Sequence, residues 1–477
     1  MKRARLPHNR HSTQKGQTEA QEERSKILQS RGRIFGTDGV RGRFNEGWLT
    51  PLKVSSLGKA LARANVNNTG GARRALIAHD GRSSGPILER AIAAGLREEG
   101  VESVSAGLLT TPGLAWLTKT KDFDLGVMIS ASHNPAEDNG VKLFSSTGEK
   151  LLDEVEERVE ALLWELEAAE DVDSAVIQDS SLADFYEDHL REHACPGLDL
   201  SGVRLVLDCA NGAGSHLAPA VFEGLGATVN KLHCAPDGMN INASCGSTHP
   251  ESLQEEVRNG DYHLGIALDG DGDRCILVDE NGELVHGDGI MTIVARWRAT
   301  KLPYKDPRIV ATVMSNRGLH RALREVGLSV HTVGVGDRQV VEALRNEGLE
   351  LGGEQSGHII FGEDNAYIGD GTYTALRILR VLDSERLPLS ELAAPYQEFP
   401  QVLLNVQVAS KPPLIELVDL NERAALHEAE LGEDGRVLLR YSGTEPVLRV
   451  MVEGPNNDRI REMAHDLAEL VAPTPSQ

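Results

Sequence analysis

Residues 73–104 read RRALIAHDGRSSGPILERAIAAGLREEGVESV. A short aliphatic run leads into a loop with glycine, an amphipathic helical segment follows, and a second aliphatic run begins just after another glycine. The same order recurs in VRLVLDCANGAGSHLAPAVFEGLGATV at residues 203–229 and in RIVATVMSNRGLHRALREVGLSVHTV at residues 308–333. Strand–helix–strand units join parallel strands and cover the sheet with helices. Because the copies lie too far apart for a solenoid, they predict three similar α/β domains with mixed, mainly parallel sheets.

The end of the chain follows a different pattern. After Phe399 and Pro400, the spacing predicts a strand at residues 402–408, a helix at 413–430, paired strands at 436–440 and 448–453, and a final helix from Asn457. This order predicts a smaller C-terminal α+β domain. The predicted segments are a disordered basic extension at residues 1–33 and domains at residues 34–190, 191–302, 303–399 and 400–477.

Composition excludes several classes of protein. The 477 residues carry 49 Lys+Arg against 72 Asp+Glu, a net charge of -23, which argues against nucleic acid or an anionic membrane as a partner. No apolar run approaches the roughly 20 residues of a membrane-spanning helix. The five cysteines include no closely spaced pair, so the sequence predicts buried thiols in a reducing cytoplasm rather than a zinc site or disulfides.

The first 33 residues differ from the rest of the chain. They contain nine Lys/Arg, three Asp/Glu and few large aliphatic residues. A signal peptide needs a contiguous apolar core, which this segment lacks. Three glutamates count against a transit peptide, so a disordered extension is the preferred interpretation.

GVMISASHNPAEDNGVKLF at residues 126–144 predicts a strand that ends in a polar turn. Reactive loops of open parallel sheets lie at the carboxyl ends of strands. Ser132, which precedes His133, is therefore a candidate nucleophile, although an isolated hydroxyl needs a base or a cation to activate it. An ordinary turn rich in Ser, Asn and Pro is the competing interpretation.

HLGIALDGDGDRCILVDE at residues 263–280 alternates Asp269, Asp271 and Asp273 with glycines. Three carboxylates this close repel one another unless a hard cation neutralises them, and the glycines let the loop curl so that they converge. A calcium loop of the EF-hand kind would place Glu280 at its twelfth position, but it requires glycine where Arg274 stands. The pattern therefore favours Mg²⁺ over a calcium loop or a solvated acidic turn.

Two further loops combine glycine with polar side chains. GGEQSGHIIF at residues 352–361 carries Glu354, Ser356 and His358, which suit the vicinal hydroxyls of a sugar. RYSGTEPVLRV at residues 440–450 suits a phosphate dianion, which side chains and backbone N–H groups would bind together. The candidate groups in this second loop are Arg440, Ser442, Gly443, Thr444 and Arg449. Each loop by itself is also consistent with an ordinary turn.

Together the four loops, one in each predicted domain, indicate phosphoryl transfer on a sugar phosphate. On these motifs the chain resembles the α-D-phosphohexomutase superfamily from about Ile34 to Leu470. FGTDGVRG at residues 35–42, MSNRGL at 314–319 and VGVGDRQVVEAL at 333–344 also match it. GEQSGH is similar to the glucosamine branch, whereas NAYIGDG at residues 365–371 departs from the threonine-rich stretch expected there, and Tyr441 is a milder variation.

The resemblance implies that Ser132 rests as phosphoserine and shares one Mg²⁺ with the three aspartates. It implies interconversion of glucosamine 6-phosphate and glucosamine 1-phosphate through a 1,6-bisphosphate, with the glucose or glucosamine 1,6-bisphosphate serving as activator or intermediate. Arg41, Lys142 and His133 are candidates for proton transfer or charge stabilisation, and the sequence does not decide among them. The implied substrate-binding residues outside the phosphate loop are Arg274, Asp337, Arg338, Glu354, Ser356 and His358.

Three other functions agree with parts of the pattern. A glucose- or mannose-phosphate mutase of the same superfamily is the main alternative. A metal-dependent sugar phosphatase would use the same aspartates but needs no distal phosphate loop. A calcium-stabilised binding protein is disfavoured by Arg274. The partner expected is a small sugar phosphate, and the sequence is compatible with a homodimer without determining the oligomeric state.

Overall fold

The computed structural model describes residues 33–36, 38–64, 66, 72–302, 304–442 and 446–471. The predicted basic extension therefore lies outside the described residues, apart from Arg33. Within the described part of the chain, four sheets follow one another in sequence, three of them mixed and the last antiparallel.

The first sheet has six strands in the order β1-β5-β4-β2-β3-β6. They are β1 (Val40–Arg43), β2 (Arg74–His79), β3 (Glu102–Leu108), β4 (Leu125–Ile129), β5 (Asp138–Ser145) and β6 (Ile177–Gln178). The accompanying helices are α1 (Pro51–Arg63), α2 (Gly85–Glu98), α3 (Thr111–Thr120), α4 (Asp153–Glu165) and α5 (Ser181–His189). β4, β2, β3 and β6 run parallel, and β5 pairs antiparallel with both β4 and β1.

The second sheet has the order β11-β10-β9-β7-β8 and the third the order β13-β12-β14-β15. The second contains β7 (Arg204–Asp208), β8 (Thr228–Leu232), β9 (Leu264–Leu268), β10 (Cys275–Asp279) and β11 (Leu284–Val285), with helices α6 (Gly214–Gly224) and α7 (Glu251–Asn259). The third contains β12 (Arg308–Thr312), β13 (Ser329–Val333), β14 (Gly352–Gly353) and β15 (Ile359–Ile360). The helices that follow the second sheet are α8 (Gly287–Lys301), α9 (Arg317–Arg324), α10 (Asp337–Glu347), α11 (Gly371–Glu385) and α12 (Leu389–Ala393).

The three mixed sheets share one arrangement, which confirms the predicted α/β repeats. In each sheet the two strands of the repeated unit pair in parallel: β2 with β3, β7 with β8, and β12 with β13. The helix between them is followed by a left-handed glycine, Gly100, Gly226 or Gly327, with φ of 78°, 99° and 77°. Glycine adopts this backbone conformation without steric cost, which is why it stops these helices.

Each mixed sheet also contains a hairpin that the repeat did not reveal. A parallel strand turns back into an antiparallel neighbour: β4 into β5, β9 into β10, and β14 into β15. The three turns are the SASHNP, DGDGDR and EQSGH loops. Strands β4 and β9 are buried throughout, as strands covered on both faces are, so only their carboxyl ends reach a cleft.

The predicted small α+β domain is confirmed at the end of the chain. Strands β16 (Gln401–Gln407), β17 (Arg436–Tyr441) and β18 (Val447–Glu453) form an antiparallel sheet in the order β16-β18-β17. The helices are α13 (Val418–Leu431) and α14 (Asn457–Glu469). The first helix begins five residues later than predicted, because Pro413 is extended and a 3-10 turn, Leu414–Glu416, precedes it. Proline lacks an amide N–H and biases the residue before it away from helix.

A buried ion pair joins this last domain to the third sheet. Glu453 at the end of β18 is 0% exposed, and its carboxylate lies 2.8 Å from Nη2 of Arg436. Arg436 also donates to the carbonyls of Val313 and Ser315, at 2.8 and 2.9 Å, beyond the end of β12. The backbone N–H of Arg317 donates to the same glutamate. One arginine and one glutamate therefore connect two domains.

We expect Arg436→Met to lower the free energy of unfolding by about 3–5 kcal/mol, because it leaves the Glu453 carboxylate buried without its cation. Urea unfolding followed by circular dichroism measures the change. Arg423→Met is the matched control, since Arg423 pairs with Asp466 at the surface and such pairs contribute about 0–1 kcal/mol. Equal effects of the two substitutions would contradict this account of the domain junction.

Candidate active site

The three hairpin loops open onto one cavity of about 1110 Å³ between the first three domains. The sequence-predicted residues that line it are Arg41, His133, Asp273, Arg274, Asp337, Arg338, Glu354 and His358. Asp38 and Lys150 line it as well, although the sequence did not single them out. The fold thus brings together residues that are more than 300 positions apart in the chain.

Ser132 lies at the turn of the β4–β5 hairpin in a left-handed conformation, with φ of 53°. Its hydroxyl donates to Oδ2 of Asp269 at 2.7 Å, and its Oγ lies 3.3 Å from Nδ1 of His133. Its backbone N–H donates to Oγ of Ser130 at 2.8 Å. The predicted nucleophile and the predicted metal loop are therefore in direct contact.

The three aspartates of the β9–β10 hairpin converge as their alternation with glycine suggested. They are buried, and one carboxylate oxygen from each lies within 4.8 Å of the others. Oδ1 of Asp271 and Oδ1 of Asp273 are buried without a hydrogen-bond partner among the described residues. Burial, together with the neighbouring Asp273 and Asp271, raises the pKa of Asp269 well above its usual range. These properties fit a hard divalent cation, which binds carboxylate oxygens and neutralises their repulsion.

Lys142 supplies a fixed positive charge beside the aspartates. Its Nζ lies 2.7 Å from Asp271, 3.2 Å from Asp38 and 3.5 Å from Asp273. Burial opposes its charge, but these carboxylates outweigh burial and raise the pKa of Lys142 well above its usual value. The hydroxyl of Thr111 also donates to Asp271. Lys142 is therefore a protonated cation in this arrangement.

His358 of the third loop faces the same carboxylates from the opposite wall. Burial opposes its protonation, but Asp273, Asp337 and Glu354 raise the pKa of His358 to about 9. Its Nδ1 lies 3.6 Å from Oδ1 of Asp273. Glu354 accepts a hydrogen bond from the backbone N–H of Gly336 at 3.2 Å. The third loop therefore brings both a positively charged side chain, His358, and a carboxylate, Glu354, to the cavity.

Two predicted substrate-binding residues also connect the first and third domains. Asp337 lies 2.6 Å from Nζ of Lys150, and Lys150 also pairs with Asp38. Arg338 donates to the carbonyl of Leu151 at 2.9 Å, and it pairs with acidic residues of α4. Both residues line the cavity while they join α10 to the first domain.

The phosphate-binding candidates of the last domain lie on adjacent strands. Arg440 and Arg449 are direct cross-strand partners, and within the described part of the chain neither forms an ion pair with a carboxylate. Like charges placed opposite each other destabilise a sheet unless an anion binds between them. The carbonyl of Ser442 accepts from Lys411 at 2.6 Å. Gly443 and Thr444 lie outside the described residues, and no described residue of this domain lines the cavity.

A second cluster of possible metal ligands has another explanation. Asp208, His233 and Cys245 bring one ligand atom each within 4.8 Å of the others. The carboxylate of Asp208 is already occupied, because it accepts from the N–H groups of Ala210 and Gly246 and from His233. The hydrogen bonds of this cluster therefore hold together the loops that follow β7 and β8.

Four family models match the chain in order. They are the alpha/beta/alpha domains I, II and III of phosphoglucomutase/phosphomannomutase, at residues 32–170, 184–282 and 286–399, and the C-terminal domain, at residues 403–470. The chain belongs to the phosphoglucomutase/phosphomannomutase family. The resemblance to the phosphohexomutases is thereby confirmed, and the protein is an enzyme of that group.

Relatives in this family match over nearly the whole chain. The phosphoglucosamine mutase of Moorella thermoacetica is 45% identical over 450 residues, which are 92% of this chain and 99% of that protein. A phosphoglucomutase/phosphomannomutase family protein from Burkholderia thailandensis superposes with a TM-score of 0.76 at 27% identity, covering 92% of this chain and 96% of that one. N-acetylphosphoglucosamine mutase of Aspergillus fumigatus, solved with GlcNAc-6P and magnesium, shares the fold, with a TM-score of 0.61, 17% identity and coverage of 95% and 98%.

Among the described residues of this family member, no helix is long and apolar enough to span a membrane. The predicted thiols are all free cysteines there, four of them buried and Cys234 partly exposed.

Proposed function

We propose that this family member interconverts glucosamine 6-phosphate and glucosamine 1-phosphate, a step that feeds the synthesis of amino-sugar nucleotides and cell-wall precursors. The contact between Ser132 and Asp269 carries the proposal, since it supports a nucleophile next to a cation site. His133 and Asp273, of the same two loops, line the cavity. The GEQSGH loop on the same cavity and the relatives named phosphoglucosamine mutase support the choice of sugar.

The proposed reaction uses Ser132 as a phosphoserine. The C1 hydroxyl of glucosamine 6-phosphate attacks the phosphorus, the bond to Ser132 Oγ breaks, and a 1,6-bisphosphate forms. The bisphosphate turns over, its 6-phosphoryl group returns to Ser132 Oγ, and glucosamine 1-phosphate leaves. Free glucosamine or glucose 1,6-bisphosphate would restore a serine that has lost its phosphate. Mg²⁺, held by the three aspartates and a phosphoserine oxygen, would neutralise negative charge on the phosphoryl group.

We assign different roles to the three undecided residues, and their contacts support the assignment. Lys142 and Arg41 are cations, the first bonded to Asp271 and the second to Asp38, and both suit charge stabilisation. His133 is the neighbour of Ser132 Oγ, at 3.3 Å, and its ring nitrogen has the lone pair that a proton acceptor needs. We therefore assign proton transfer to His133.

Binding of the sugar and of its second phosphate falls to the other two loops. Glu354, Ser356, His358 and Arg274 would bind the hydroxyls, while the last domain would bind the phosphate that is not reacting. Since no described residue of that domain lines the cavity, we expect it to move towards the cleft when substrate binds. The last domain would then continue to bind the phosphate that is not reacting while the bisphosphate turns over in the site.

Turnover on three sugar phosphates tests the proposal. The value of kcat/KM for glucosamine 6-phosphate should exceed those for glucose 6-phosphate and mannose 6-phosphate. A higher value for either of the latter would assign the enzyme to the alternative mutases. Release of inorganic phosphate in place of a 1-phosphate would indicate the phosphatase.

Arg440→Ala tests the phosphate-binding assignment. Losing one charge-assisted contact costs about 1.5–3 kcal/mol, so kcat/KM should fall by about one to two orders of magnitude. More free bisphosphate should escape during turnover, while Ser132 remains phosphorylated. Arg459→Ala is the matched control, because Arg459 is an exposed arginine of the same domain paired with Glu430. If KM and the escape of bisphosphate were both unchanged, the RYSGTEP loop would be a structural turn and not a phosphate-binding site.

The proposed setting is the cytoplasm, supported by the free cysteines. A homodimer is a further proposal. Analytical ultracentrifugation of the full chain tests it.

A further inference from the structure

A fully buried arginine lies directly behind the serine loop. Arg82 lies in the loop between β2 and α2, within the first repeated unit, and its side chain is 0% exposed. Its Nε lies 2.9 Å from Oδ2 of Asp80, which is also 0% exposed. The same carboxylate oxygen accepts from the hydroxyl of Ser130 at 2.6 Å, and that hydroxyl accepts from the N–H of Ser132.

The remaining donors of Arg82 are all directed at carbonyl oxygens of the serine loop. Nη2 donates to Ser132 and Asn134, at 3.0 and 2.8 Å. Nη1 donates to Asp138 at 2.9 Å and also to Pro135. A guanidinium has five N–H donors in a rigid plane, and here every one has an acceptor. Four carbonyl oxygens of the loop are therefore all directed at one buried guanidinium.

A second side chain reaches the same carbonyls from another domain. Nδ2 of Asn242, in the loop after β8, lies 2.8 Å from the Ser132 oxygen and 2.9 Å from the Asn134 oxygen. Asn242 is adjacent to the metal loop, because a Cβ added to Gly270 would lie 2.8 Å from its Nδ2 and 2.6 Å from the Ser132 oxygen. One amide thus fastens the serine loop where it meets the loop of the three aspartates.

We propose that Arg82 and Asn242 are positioning residues for phosphoryl transfer, which rests on the function proposed above. Arg82 holds the left-handed turn at Ser132 and binds the carbonyl dipoles of its loop. Asn242 sets the distance between Ser132 and the aspartates. Both side chains donate to the backbone oxygen of Ser132 and neither lines the cavity, so their effect on the reaction is exerted through the serine loop.

The change in charge at Ser132 explains why its loop needs these hydrogen bonds. Ser132 carries a dianion in one half of the cycle and a neutral hydroxyl in the other, so the force on its loop changes at every turnover. A loop whose carbonyl groups accept six hydrogen bonds from two buried side chains keeps its shape in both states. Misplacement of a reacting group by about 1 Å costs about a hundredfold in rate, so small shifts here would be visible in kcat.

Asn242→Gly is the first test, because glycine tolerates the φ of 57° at this position and only the amide is lost. Asn45→Gly is the control, since Asn45 is also left-handed, with φ of 65°, but is exposed and far along the chain from the loop. We expect kcat to fall at least about tenfold in Asn242→Gly, with KM for the sugar phosphate within twofold of wild type. The Mg²⁺ concentration for half-maximal activity should rise, and Asn45→Gly should match wild type.

Arg82→Lys is the second test, because lysine keeps the charge but has three donors for five acceptors. It should lower kcat in the same way, without raising KM. A kcat within twofold of wild type in a folded Asn242→Gly would overturn the inference, and so would a rise in KM that accounts for the loss. Intact mass of the wild type separates the two proposals. Wild type that turns over substrate without a phosphate on Ser132, even after incubation with glucose 1,6-bisphosphate, would defeat the proposed function. Phosphorylated wild type with unaffected variants would defeat only the positioning role.

Discussion

Ser132→Ala should reduce turnover by about four to six orders of magnitude, as loss of a covalent nucleophile does in other enzymes. The hydroxyl is the group in contact with both Asp269 and His133, and alanine has no atom that can carry the phosphoryl group. Steady-state turnover of glucosamine 6-phosphate measures the loss. Intact mass should show one phosphoryl group on active wild type and none on the variant.

Ser83→Ala is the matched control for this prediction. Ser83 is an exposed serine in the loop after β2 of the same domain, and its hydroxyl contacts only the sulfur of Met239 among the described residues. It should retain wild-type turnover and the same phosphorylation. Normal activity of Ser132→Ala would reject the covalent mechanism.

Asp271→Asn should lower activity at least about a hundredfold and raise the Mg²⁺ concentration needed for half-maximal turnover. Loss of a group that only hydrogen-bonds to a metal ligand already lowers metal affinity or activity by about 10–100-fold, so loss of a ligand should have a larger effect. The substitution replaces a carboxylate that has one oxygen 2.7 Å from Nζ of Lys142 and the other buried without a hydrogen-bond partner among the described residues. After the substitution, Lys142 would have one carboxylate fewer to balance its charge. The cation would be bound by two aspartates instead of three.

The control is Asp279→Asn, a buried aspartate at the far end of the adjacent strand β10. Its carboxylate accepts from the N–H groups of Asn281 and Glu283 in a turn, a role that an amide oxygen can also fill. Its Mg²⁺ dependence should equal that of wild type. An Asp271→Asn enzyme with the same Mg²⁺ dependence would show that this loop is not the metal site.

Much of the fold was predictable because its signals are local. The aliphatic runs, the amphipathic segments and the glycines at residues 100, 226 and 327 lie within each unit of about thirty residues, and all three units form as predicted. The third sheet shows the limit of such reasoning. β14 and β15 are two residues each, Gly352–Gly353 and Ile359–Ile360, too short for any periodicity. They become strands because β14 pairs with β12 and β15 pairs with β14.

The residues of the candidate site also differ in whether the local sequence signals them. Ser132, Asp271 and Glu354 were predicted because each belongs to a dense local motif. Arg82 and Asn242 were missed, although the HDGR run at residues 79–82 lies at a strand exit, where reactive loops are expected. Lys150 had no local signal at all.

By itself, the sequence determined the three α/β units and the smaller last domain, and it predicted which loops carry chemistry. Only the tertiary structure decided that Ser132 contacts Asp269, 137 positions away, that Lys142 rather than Arg41 neutralises Asp271, and that Arg82 lies behind the serine. The physical reason is that hydrogen bonding and apolar periodicity order a segment through its neighbours in the chain. Charges are paired by distance in space, which depends on how separate sheets pack.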